Sequence, residues 1–164
     1  MLAAGAGARF GRPKVLEPGW LEGACATLLA AGCTRVVVVL GAAPDARLPD
    51  DPRVTAVIAE DWSEGMSHSL RAGLRAVAEP AALVTLVDLP GLPVAVVERV
   101  LRAEGALRQA VFDGRPGHPV FVSLPNADLL DSLTGDHGAR RFLVANGVTE
   151  VECSDLWHGA DIDR

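Results

Sequence analysis

Three things are scarce in this chain of 164 residues, and each scarcity excludes a class of protein. The cysteines, Cys25, Cys33 and Cys153, are few and widely spaced with no CxxC pair, so neither a disulfide framework nor a zinc cage is expected. They read instead as small core hydrophobes. Basic residues number 15 against 21 acidic ones, a net charge of -6 that argues against a broad nucleic-acid footprint or attraction to an anionic membrane. Apolar runs such as VVVVLGAA and ALVTLV fall well short of the ~20 residues that cross a bilayer. No basic-then-apolar leader precedes the first motif, so a cytoplasmic location is the default expectation. Internal repeats, low-complexity tracts and linkers are also wanting, and one domain over residues 1–164 is expected, large enough to bury a single core.

What is present alternates between short apolar runs and helix-period stretches. Arg35 to Ala42, Val54 to Glu60 and Ala82 to Pro90 are nearly continuous apolar segments, as central parallel strands covered on both faces should be. Leu21 to Ala31 reads as a helix capped at Gly32, and Met66 to Ala78 as another ending before Pro80. In the latter, Met66, Leu70, Leu74 and Val77 form one stripe, with Arg71 and Arg75 facing outward. Val94 to Leu107 continues the helical pattern, and AVFDGRPGHPVFVSL reads as two strands around a Gly-Pro turn. The alternation predicts a three-layer α/β fold with a mostly parallel central sheet.

The opening, MLAAGAGARFGRPK, is a strand end that breaks into Gly5, Gly7 and Gly11, with cations at Arg9, Arg12 and Lys14 all before the first acidic residue, Glu17. Backbone N–H groups freed of Cβ atoms can close around an oxyanion, and the cations neutralise it, so the segment reads as a phosphate cradle. Neither standard glycine loop fits: Phe10 stands where GxGxxG and GxxxxGK[ST] both require glycine, and Lys14 is followed by Val15. A tight strand-to-helix turn with no ligand is the structural alternative. Only three residues precede Ala4, so the strand leading into this loop is short.

Asp88 follows the apolar run LVTLV and should emerge at a strand's carboxyl end, where ligand sites of open α/β sheets gather. A carboxylate there suits Mg²⁺, a hard cation that keeps substrate phosphates in its shell.

LAAGAGARFGRPK resembles the LAAGxGxRxGxPK motif of the nucleotidyltransferases that attach a nucleoside monophosphate to a phosphorylated acceptor, in particular the molybdenum cofactor cytidylyltransferase group. WSEGMSHSLRAGL (62–74), VDLPGLP (87–93), GRPGHPVFV (114–122), GDHGAR (135–140) and the closing ADIDR resemble further segments of that group in the same order. The resemblance implies a Rossmann-like nucleotidyltransferase fold that transfers CMP from CTP to molybdopterin or its metallated form and releases pyrophosphate. It assigns Ala3, Ala4, Gly5, Gly7 and Gly11 to nucleotide binding, Arg9 to the β and γ phosphates, Lys14 to the α-phosphate, and Asp88 to Mg²⁺, with Mn²⁺ as the alternative ion. Asp163 is favoured over Asp161 as the second metal ligand. Ser67 and Ser69, at a helix N-terminus, would hold an anion or a ribose hydroxyl, with ordinary helix capping as the alternative, and His118, on a turn facing the acceptor, would bond its phosphate or pterin, with a purely structural role as the alternative. Ala4 in LAAG favours CTP over GTP, its methyl narrowing the space for a purine. The partners implied are small molecules, with a molybdoenzyme or its chaperone as a further one, and neither nucleic acid nor membrane. Two other classes compete: an NAD(P)H- or flavin-dependent oxidoreductase of the nicotine-pigment type, which the missing GxGxxG opposes, and a nonenzymatic nucleotide or cofactor binder.

Overall fold

The computed structural model describes residues 1–124, 127–134 and 139–160. Helix α1 (Trp20–Ala30) is followed by strands β1 (Val36–Leu40) and β2 (Val54–Ile58), helix α2 (Met66–Arg75), strand β3 (Ala81–Val84) and helix α3 (Val94–Arg102). Strands β4 (Leu107–Phe112) and β5 (Arg115–Ser123), helices α4 (Ala127–Ser132) and α5 (Arg140–Ala145), and strand β6 (Thr149–Glu152) complete the order.

Local chemistry accounts for the element ends. Helix α1 stops because Gly32 takes φ 102°, letting its N–H bond Leu29 O while Cys33 N–H bonds Leu28 O. That paired closure satisfies two end carbonyls, as expected for a glycine placed there. Helix α3 ends at Arg102, five residues before the expected Leu107. Gly105 turns the chain at φ 109°, and Leu107 is instead the first residue of β4, opposite Val122. The apolar period of a helix and the first apolar residue of a buried strand coincide there, so the pattern ran on past the turn.

Strands β1 and β2 pair in parallel from Val36↔Val54 to Leu40↔Ile58. A second sheet has the order β3–β5–β4–β6, with β5 antiparallel to both β3 and β4, and β6 parallel to β4. The first residues join the two: Leu2 bridges in parallel to Val39 of β1 and to Leu86 just beyond β3. Its N–H bonds Thr85 O, its carbonyl accepts from Val87, and Ala3 N–H bonds Val39 O. The sheet is therefore mixed, parallel around the N-terminal segment and antiparallel around β5. β2 proves to be a strand with exposed Thr55, Ala56 and Ile58, not a central one covered on both faces.

The period-2 alternation of β1 divides the core. Val36, Val38 and Leu40 pack with Leu21, Cys25 and Leu28 of α1 and Val96, Val97 and Val100 of α3. Val39 faces the other way, into a cluster with Ala4 and Ala59. Leu70 and Leu74 of α2 join Val120, Val122, Leu129, Phe142 and Leu143 on that second face. Helices thus cover the sheet on both sides, the expected three layers. Cys25 and Cys153 are buried and Cys33 half-buried, all as free thiols, and burial pushes Cys25 up to about 11. The outward placement expected for Arg71 is corrected: its guanidinium is partly buried and donates to Leu133 O, tying α2 to the segment after α4.

Candidate active site

The parallel strand ends around Leu2 set the position of everything chemical. Ala3 and Ala4 are buried, and Ala4 O accepts from Ala42 N–H, holding the chain where it leaves the sheet. The turn that follows closes on itself, Gly11 N–H donating to Gly7 O at 2.7 Å. Gly7 sits at φ 63° with a Cβ position only 1.8 Å from Arg12 O, so no other residue fits. Gly5 differs: nothing lies within 4 Å of its Cβ position, and its backbone is open to a cleft. Phe10 fastens the loop by packing on Trp20 at the start of α1, ring centroids 5.7 Å apart.

The cleft, of about 550 Å³, is bounded by this loop, by residues 86–88, and by the segment from Trp62 to Ser69. Lys14 opens a short 3-10 turn (Lys14–Leu16) and places Nζ 2.9 Å from Asp88 Oδ2. Both side chains are mostly covered, at 13% and 19% exposure. The other carboxylate oxygen, Asp88 Oδ1, is buried and has no hydrogen-bond partner among the described residues. A buried, unpartnered carboxylate oxygen costs free energy unless a cation or donor meets it. That oxygen fits a divalent cation, whose remaining ligands would be phosphate oxygens and water, as is usual for Mg²⁺. Among the described residues no group of three or more His, Cys, Asp or Glu is placed to hold a metal by itself.

The expected site residues divide. Ala3, Ala4, Gly5, Gly7, Arg9, Lys14, Ser69 and Asp88 all line the cleft. Gly11 shapes the loop without lining it. Arg12 pairs with Glu17, which raises the guanidinium's pKa through that hydrogen bond, and does not line the cleft. Ser67 sits in the first turn of α2, as expected, but at i−3 and i−7 from Leu70 and Leu74, on the stripe that faces the sheet, and it is fully buried with an unpartnered hydroxyl among the described residues and outside the cleft lining. Neither serine caps α2, whose N-cap is Gly65. His118 is corrected: it lies within β5, not on the turn, which is Asp113–Gly114, and its Nδ1 is 3.3 Å from Val84 O. Strand pairing holds that ring beside β3 and outside the cleft lining. Asp161, Asp163 and most of GDHGAR lie outside the described residues.

Trp62 lines the cleft without having been given a task by motif position, and Met66, expected on the packed stripe of α2, is instead 48% exposed and lines the same cleft. The available signal was Gly41, a bare residue after the VVVVL run: its Cβ position is 2.5 Å from Trp62 Cγ.

Comparison with known proteins places this geometry among relatives. The profile of the MobA-like NTP transferase domain matches residues 1–151. Nicotine blue oxidoreductase of Paenarthrobacter nicotinovorans is 39% identical over 184 aligned residues, covering 99% of this chain and 90% of that protein. Molybdenum cofactor cytidylyltransferase of Escherichia coli K12 is 29% identical, covering 75% of this chain and 68% of the relative. The crystal structure of Rv0371c from Mycobacterium tuberculosis superposes with a TM-score of 0.81 at 25% identity, covering 99% of this chain and 89% of that one. A manganese complex of that mycobacterial protein superposes with a TM-score of 0.71 at 24% identity over 92% of this chain and 84% of that one.

Proposed function

This chain belongs to the MobA-like NTP transferase family, and from that premise we propose that it transfers CMP from CTP to a phosphorylated acceptor, molybdopterin or its metallated form, with release of pyrophosphate. One observation carries the reading most directly: a lysine and an aspartate 74 positions apart meet at 2.9 Å in a cleft roofed by a glycine turn, with one carboxylate oxygen left unpartnered among the described residues.

The reaction asks little covalent chemistry of the protein. An acceptor phosphate oxygen attacks the α-phosphorus, the bond to the β-phosphate oxygen breaks, and pyrophosphate leaves. A phosphate monoester with a second pKa near ~6 is already largely ionised at neutral pH, so no general base is needed. The site must neutralise charge and align the groups. In this reading the backbone from Gly5 to Gly11 and Arg9 hold the β and γ phosphates, and Lys14 exchanges Asp88 for the α-phosphate, where charge is stabilised as the bonds change. Ala3 and Ala4 form the floor, Ala4 favouring the smaller pyrimidine, and Ser69 contacts ribose or phosphate. Asp88, freed of Lys14, would hold Mg²⁺ or Mn²⁺, with Asp163 as its expected companion. When bound, that ion neutralises the triphosphate and polarises its phosphoryl oxygens. Ser67 and His118 lie outside the cleft lining, and this reading gives them no direct contact with the nucleotide.

The experiment is to incubate the protein with CTP, GTP or ATP, Mg²⁺ or Mn²⁺, and molybdopterin, and to measure pyrophosphate release and product mass. A CMP adduct of the acceptor is the expected product; no pyrophosphate from any nucleotide overturns the reading. The second reading, an oxidoreductase, is favoured by the name of the 39% identical relative. The glycine loop lacks the dinucleotide pattern, and failure to oxidise NAD(P)H in the presence of a quinoid dye would remove that reading.

A further inference from the structure

The Lys14–Asp88 chemistry leaves one flank of the cleft unexplained. Leu2 pairs with Val39 on one side and Leu86 on the other, so the chain entering the glycine loop runs between two flanks. Asp88 lies two residues beyond Leu86 on the first flank. Trp62 stands on the second, four residues beyond the end of β2, and is half-buried.

That indole is held by contact. Its root presses on bare backbone, Gly41 having a Cβ position 2.5 Å from Trp62 Cγ and 2.7 Å from both Trp62 Cβ and Ala4 O. The ring packs on the cluster of Ala4, Val39 and Ala59, and the side chain also lines the cleft. Met66, at the first position of α2, lines the same cleft and is 48% exposed. A large aromatic and a thioether left open to water are costly unless something apolar covers them. Both have a strong affinity for flat heteroaromatic rings, through stacking on the indole face and sulfur–ring contact. The cleft thus offers cations and a carboxylate on one flank and a polarisable apolar surface on the other, which matches a ligand with a polyphosphate at one end and a flat ring at the other.

We propose that Trp62, backed by Gly41 and flanked by Met66, is the platform on which the nucleobase of the bound triphosphate stacks. The inference rests on the nucleotidyl-transfer reading and adds to it the group that recognises the base.

The test is calorimetric titration of the full chain with CTP, GTP, inorganic tripolyphosphate and a free pterin, all with Mg²⁺, for the parent, Trp62→Leu and Trp62→Phe. Trp62→Leu is expected to weaken nucleoside triphosphate binding roughly 5- to 150-fold, the range of one base stack, while tripolyphosphate affinity stays within about twofold. Trp62→Phe should recover most of the loss, because a smaller aromatic face remains. Equal losses for CTP and tripolyphosphate would make Trp62 a structural residue only, and unchanged nucleotide affinity would show that no base stacks there. Loss of pterin binding alone would assign the platform to the acceptor; each of these overturns the proposal. A parent protein that binds neither nucleotide nor tripolyphosphate overturns the nucleotidyl-transfer reading itself, and this inference with it.

Discussion

At the scale of single residues, Lys14 and Asp88 hold each other's charge in a place neither reaches by local folding. Replacing Asp88 by Asn is expected to cut metal-dependent turnover ~100-fold or more, the size of losing one charge-stabilising group, and an unchanged Mg²⁺ titration would remove it from the site. Lys14→Ala should cost a similar factor; turnover within about threefold of the parent would refute its role. Because both groups are largely covered, either single change takes an ionic partner from a mostly covered charge. The double variant Lys14→Met/Asp88→Asn should therefore unfold at higher denaturant than the sum of the singles implies, a coupling readable from a double-mutant cycle. The glycines offer a second contrast. Gly7→Ala must push a Cβ into Arg12 O at a positive φ and should lose about 1–3 kcal/mol of stability. Gly5→Ala meets no neighbour within 4 Å, so stability should stay within about 0.5 kcal/mol while nucleotide affinity falls, as titration of the variant would show.

At the scale of elements, α1 and α3 end by different devices. The first has its glycine. The second ends at an extended Ala103, and its last carbonyls are met by Arg108 from β4: Nη1 donates to Val100 O at 3.1 Å and Leu101 O at 2.7 Å, and Nε to Gly105 O at 2.7 Å. The guanidinium also lies 3.8 Å from the Phe121 ring centroid. One side chain thus joins a helix end, a turn and the neighbouring strand. Arg108→Met should cost about 1–2 kcal/mol in denaturant unfolding, and Arg108→Lys should restore only part, since an ammonium has neither the fork nor the flat face. Full recovery with lysine would reduce the role to charge alone.

At the scale of the whole molecule, surface ion pairs tie distant segments. Arg35 on the approach to β1 meets Glu79 before β3 at 2.7 Å, and Arg99 of α3 meets Asp155 after β6 at 2.5 Å. Hydrogen bonds from these arginines hold the Glu79 and Asp155 carboxyls below their ordinary range, and Arg53 lowers Asp51 to about 2. A carboxyl whose folded pKa is depressed contributes stability that is complete above its unfolded value and is lost as pH falls through the folded one. For Asp51 the window runs from 3.8 down to about 2. What these pairs add to the thermal midpoint should therefore be nearly level from neutral pH to about 5 and decline below about 4, and each pair, being exposed, should add only modestly. A midpoint that rises on acidification would contradict the pairing.

Much of this protein could be read from short stretches of chain, because caps, turns and apolar periods act between residues a few positions apart. The Gly32 cap, the start of α2 at Met66, the VVVVL strand and the self-closing turn from Gly7 to Gly11 all belong to that class. Contacts between distant segments settled the remainder. β2 is apolar enough for an interior strand, yet its neighbours leave it half open; Leu107 matches a helix until β5 claims it. Ser67 and Ser69 are interchangeable as letters, and only the packing of α2 on the sheet turns one inward and the other to the cleft. His118 went to a strand, and Trp62 gained its seat from a glycine 21 positions earlier. A peptide's local conformational preferences are carried by its own atoms and immediate neighbours. Which face is buried, and which cation meets which carboxylate, depends on the parallel bridges of Leu2 that bring residues 14, 62 and 88 around one strand end.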